Sequence, residues 1–97
     1  MAPTHTVYID EPDTARADEV NDLAAYLDTC EFHGKTPPPT VSATMSLTGR
    51  LTQLSLPEAV FEYEEEISEK TTALLEEMRQ TAQRATVRLL QERLGSR

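Results

Sequence analysis

From Val60 to Leu89, apolar residues return at spacings of three, four and seven: Val60, Ile67, Leu74, Met78, Ala82, Ala85 and Leu89. Tyr63 and Thr71 fill intermediate places on nearly the same face, which is the repeat of an amphipathic helix. The pattern predicts one unbroken helix from Ser55 to Gly95, with 56–94 as its body. Ser55-Leu56-Pro57-Glu58 reads as a capping box with proline in the first turn, and Gly95 follows the last periodic residue, Leu94. Phe61, Leu75, Val87, Leu90 and Leu94 widen the seam beyond a coiled-coil stripe. Such a helix runs roughly 58 Å at about 1.5 Å per residue. A compact globule of this size has a radius of gyration of about 13 Å. One end must therefore project, or another polypeptide must cover it.

A second helical repeat, weaker than the first, lies nearer the N-terminus. Val20, Leu23, Ala24 and Leu27 follow the candidate caps Asp13 and Thr14, and Gly34 lies beyond the end, so residues 13–34 are expected to hold a first helix. Before it, residues 1–12 carry Thr6-Val7-Tyr8-Ile9, a β-branched and aromatic run suited to an edge strand or an extended arm. Residues 35–55 start with Thr36-Pro37-Pro38-Pro39-Thr40, expected to be a stiff linker. They continue with two alternating runs, Val41–Leu47 and Arg50–Leu56, on either side of Thr48-Gly49. A small β-hairpin with Gly49 in the left-handed region fits these residues, and a Ser/Thr-rich loop or short helical turn fits them as well. The fold class expected from the whole pattern is mainly α: a short N-terminal helix, one long amphipathic C-terminal helix, and at most a small hairpin between them.

Composition supports that expectation. The 97 residues are 38% hydrophobic but hold only two Phe, three Tyr and no Trp, so aliphatic side chains and alanine must fill the core, which suits helix packing. The single cysteine, Cys30, has no internal disulfide partner, and no run of about 18 apolar residues suggests a membrane span. With no leader-like run after Met1, the expected location is cytoplasmic, away from membranes.

Charge turns the long helix into a candidate binding surface. The net charge is −8, yet residues 1–78 hold 16 acids against 4 bases, and residues 79–97 hold 1 acid against 5 bases. Most of the chain is thus expected to repel nucleic acid and attract basic partners. Glu58, Glu62, Glu64, Glu65, Glu66 and Glu69 crowd one end of the long helix, and Arg79, Arg84, Arg88 and Arg93 the other. In a self-pair, antiparallel packing sets acid against base. The expected function is that of a non-enzymatic assembly or adaptor protein, a homo-oligomer or complex subunit working through helix–helix contact. The interface would comprise Val60, Tyr63, Ile67, Leu74, Met78, Ala85 and Leu89, with Arg84 and Arg88 setting orientation. An acidic inhibitor or chaperone that masks a basic surface is the alternative.

Chemistry is scarce. His5 and His33 have no evident catalytic company, Cys30-Glu31-Phe32-His33 supplies at most half of a zinc site, and the three glycines are too far apart for a phosphate loop. No cofactor, metal or catalytic residue is expected. Arg50-Leu-Thr-Gln-Leu-Ser-Leu-Pro-Glu58 resembles the strand-to-helix junction of ribbon-helix-helix repressors, whose strand enters the DNA major groove. The resemblance implies a small DNA-binding regulator, the third functional expectation. It covers under a tenth of the chain and lacks the turn between two short helices that the family pattern requires.

Overall fold

A computed structural model describes residues 6–95. It overturns the mainly α, all-helical expectation. Four strands form one antiparallel meander: β1 Tyr8–Ile9, β2 Glu31–Lys35, β3 Ser42–Ser46 and β4 Leu51–Ser55, in the order β1-β2-β3-β4. A short helix α1, Leu23–Thr29, precedes β2, and the long helix α2, Glu64–Gly95, packs on the sheet. The molecule is α+β.

The first helix expected over 13–34 divides into three. Asp13 Oδ1 accepts from the Ala15 amide at 3.1 Å in a local turn, and a 3₁₀ turn follows at Ala17–Glu19. Only then does α1 begin, capped by Asp22, whose Oδ1 accepts from the Ala25 amide at 3.1 Å. The Arg93 guanidinium explains part of the break: it donates to the carbonyls of Ala17 at 2.9 Å and Val20 at 3.3 Å, which a continuous helix would consume itself. Past α1, Glu31–Lys35 alternates exposed and buried positions as β2. Gly34 is a mid-strand residue here and not a helix stop. A Cβ on it would lie 2.9 Å from Met78 Sδ and 3.0 Å from Leu74 Cδ1, so the missing side chain is what lets α2 sit close to the sheet.

The Pro-rich segment, expected to be a stiff linker, is the β2–β3 connection. Thr36 closes it from both sides, its amide donating to the Val41 carbonyl at 2.9 Å and its hydroxyl accepting from the Val41 amide at 3.1 Å. Lys70 of α2 secures it: Nζ donates to the carbonyls of Pro37 and Pro38, each at 2.9 Å, with Glu66 at 3.6 Å, and the side chain is only 9% exposed. A buried ammonium is tolerable because its protons meet these carbonyls.

The hairpin over 41–56 is present, with Gly49 at φ +88° in its turn. The long helix starts later than its capping pattern suggests. Ser55 ends β4 opposite Ser42, a 3₁₀ turn occupies Glu58–Phe61, and α2 opens at Glu64, leaving 32 residues and a length of about 48 Å. The core lies between α2 and the sheet, where Ile67, Leu74, Met78, Ala82, Ala85 and Leu89 meet Phe32, Val41, Ala43, Met45 and Leu47. Thr86 Oγ1 adds a bond to the Leu47 carbonyl at 3.1 Å. The apolar seam of the long helix is thus covered within the chain, by strands and not by another helix.

Candidate interaction surface

The sheet ends in two unlike edges. β1 is two residues long, paired through Tyr8 with Lys35 and Ile9 with Gly34, and is followed by Asp10. A short strand with a charge beside it is poorly suited to pairing. β4 is five residues long, Leu51-Thr-Gln-Leu-Ser55, without charge or proline, and is hydrogen-bonded on one side only, to β3. A register shift at Thr44/Met45 bulges the β3–β4 ladder, and Thr52 Oγ1 donates to the Thr44 carbonyl there at 3.1 Å. The outer backbone groups of β4 face away from the rest of the sheet.

Side chains make that edge apolar. Leu51, Leu54 and Leu56 are each exposed, Leu54 at 40%, and the connection to α2 adds Tyr63 and Phe61, the latter 91% exposed. Five large apolar groups within thirteen residues of a chain with only five aromatic side chains form a concentrated apolar region.

The start of β4 is held in place from below. Asp28, near the end of α1, accepts from Arg50 Nε at 3.1 Å and Nη2 at 3.4 Å, and from Thr48 Oγ1 at 2.9 Å. The Arg50 guanidinium, with Thr48 assisting, pulls the Asp28 carboxyl below its ordinary pKa. Ser46 Oγ, buried beneath this cluster, accepts from the Arg50 amide at 3.2 Å and shares a 2.7 Å bond with Thr48. The turn that delivers β4 to the edge is therefore tied to α1.

The sequence-derived interface divides in two. Ile67, Leu74, Met78, Ala85 and Leu89 belong to the chain's own core. Tyr63, Arg84 and Arg88 are exposed, and the Val60 side chain lies outside the described residues. Leu51, Leu54 and Leu56 escaped the sequence-derived set. Their signal, the uncharged run 51–57, is faint, because the longer run 36–49 is uncharged as well and supplies the buried β3.

The sheet face opposite α2 is polar, with a hollow of about 360 Å³ lined by Tyr8, His33, Lys35, Ser42 and Gln53 among others. In it His33 Nδ1 lies 2.8 Å from Thr44 Oγ1. The Tyr26 phenol is held above its ordinary pKa, chiefly by the neighbouring Cys30 side chain and then by partial burial. Among the described residues no three His, Cys, Asp or Glu side chains are grouped as metal ligands, and no helix is long and apolar enough to cross a membrane.

No family model, no curated protein and no solved structure matches the chain.

Proposed function

We propose that the chain is a non-enzymatic assembly protein and that its first partner is a second copy, joined by antiparallel pairing of the two β4 edges into a continuous eight-stranded sheet. The observation that carries this is the contrast between the blunted β1 edge and an open, uncharged, leucine-bearing β4. A strand of one sequence can pair with itself about a two-fold axis, so one surface supplies both halves of the contact. Such pairing satisfies the outer amides and carbonyls of β4 and brings the rims of Leu51, Leu54 and Leu56 together. Helix–helix packing through the seam, the contact expected from periodicity, would compete with the sheet for the same side chains.

The test is Leu54→Lys, since an inward-turned lysine is how natural sheets close an edge. Each copy loses about 1 kcal/mol of apolar burial and gains a lysine facing its symmetry mate, so the variant should move from dimer to monomer in sedimentation equilibrium. A parent chain that is monomeric at high micromolar concentration would sink the proposal.

The acidic-mask alternative is supported by the exposed run Glu62, Glu64, Glu65 and Glu66. Salt separates the two. A β4 dimer should persist from 50 mM to 500 mM salt, where the Debye length shrinks from about 14 to about 4 Å, whereas a charge-held mask should release its basic partner.

A further inference from the structure

We infer a second self-contact, on the face of α2 turned away from the sheet, that would link β4 dimers to one another but does not depend on β4 pairing. The two ends of this helix are chemically complementary. Of the basic side chains on α2, Lys70 and Arg93 are tied to backbone carbonyls. Arg79, Arg84 and Arg88 make no ion pair among the described residues, although the chain holds 17 acids, and Arg84 has only Thr81 Oγ1 at 3.3 Å. Arg84 and Arg88 stand at the margin of this face: they flank Val87 in a shallow groove of about 370 Å³ on one side and border Asp10 and Glu11 in a hollow of about 290 Å³ on the other, and Leu90 and Leu94 stand exposed on the following turns. This end offers cations around an apolar strip.

The opposite end offers the complement. Phe61 and Tyr63 project next to the exposed carboxylates Glu62, Glu64 and Glu65. An antiparallel second copy sets the Phe61–Tyr63 aromatic pair of one chain on the Val87–Leu94 strip of the other, with Glu62 and Glu65 against Arg84 and Arg88. The two-fold axis repeats the same contact at the far end, so no match of helix lengths is required. Between the two contacts, Thr72, Glu76, Gln80 and Gln83 stay wet. A parallel arrangement places acid beside acid and base beside base, which selects the antiparallel one.

Two reversals test it in the full chain, Arg84→Glu with Arg88→Glu, and Glu62→Arg with Glu65→Arg. Each alone faces like charge at both contacts of a self-pair; mixed, the two variants match at both. Association beyond the β4 dimer, followed by sedimentation velocity at low salt, should weaken about tenfold or more in each variant alone and return on mixing. In a Leu54→Lys background the same contact should appear as a monomer–dimer equilibrium, so loss of the β4 pairing and loss of this one are read separately. Variants that associate like the parent would overturn the inference. Loss without recovery on mixing would also overturn it, by showing that the arginines serve a partner other than this glutamate block.

Discussion

The seam of α2 and the edge of β4 are both rows of apolar side chains, but one has found its cover inside the chain and the other has not. Ile67, Leu74 and Met78 are almost fully buried under β2 and β3, while Leu51, Leu54 and Leu56 keep large fractions of their surface in water. A periodic row in a sequence states that something must cover it. Whether the cover is a helix, a sheet or another molecule depends on what the rest of the chain can build. Here a meander of strands, weakly marked in the sequence, takes the place that a partner helix would have held.

The same charge placed in the two rows should have opposite consequences for folding. Leu74→Asp places a carboxylate at a site with no exposure, among Met78, Phe32 and the chain passing over Gly34. A loss of about 4 kcal/mol or more is expected, enough to unfold a domain of ordinary stability. Melted at a concentration low enough that the parent is itself monomeric, Leu54→Asp should leave the thermal midpoint within about 2 °C of the parent, because half-exposed edge positions carry little of the fold of one copy. Parallel circular-dichroism melts decide it. If both variants unfold, β4 is as much a part of the core as α2. If neither does, the sheet does not cover the helix.

A smaller effect sharpens how closely the seam is covered. Gly34→Ala sets a methyl 2.9 Å from Met78 Sδ and 3.0 Å from Leu74 Cδ1, so α2 must lift or both side chains must turn. Met78 is flexible and yields part of the space, whereas Leu74 is enclosed. A cost of about 1–3 kcal/mol follows, seen as a lower urea midpoint with an unchanged slope. Met78→Ala costs stability by itself, but combined with Gly34→Ala it should lose less than the sum of the two single losses, because the methyl then fills space that the shortened side chain leaves. Strictly additive losses would show that the glycine is not there to admit the helix.

These effects also mark where the sequence could be read and where it could not. The seam was legible because Ile67, Leu74, Met78, Ala82, Ala85 and Leu89 keep one period over six turns. The β3–β4 hairpin was legible as one of two fits, and Gly49 marked its turn. β2 was not, because Glu31-Phe-His-Gly-Lys35 offers a single large apolar residue, and its other inward position is a glycine whose role is to be absent. The prolines read as a boundary because nothing local shows that Lys70, more than thirty residues on, will receive their carbonyls. The β4 surface was hardest of all. A missing charge is a weaker mark than a repeating leucine, and the capping pattern at Ser55 drew the same residues into a helix.

The smallest effect concerns how β4 is presented. Asp28 ties the β3–β4 turn to α1 through Arg50 and Thr48, and the same contacts hold its carboxyl pKa below the ordinary 3.8. A carboxyl with a depressed folded pKa stabilises fully above its unfolded value, and that contribution is lost as pH falls through the folded one. The window therefore lies below about pH 4, and little change is expected between pH 5 and 8. Asp28→Asn removes the titration, so its urea midpoint should fall less steeply than the parent's from pH 4 downward, from a slightly lower value at pH 7. The group is exposed and solvent-screened, so both differences are modest. The sharper readout is the edge itself. If the pin positions β4, Asp28→Asn should weaken self-association more than it weakens folding, and equal loss in the two measurements would assign Asp28 to the fold alone.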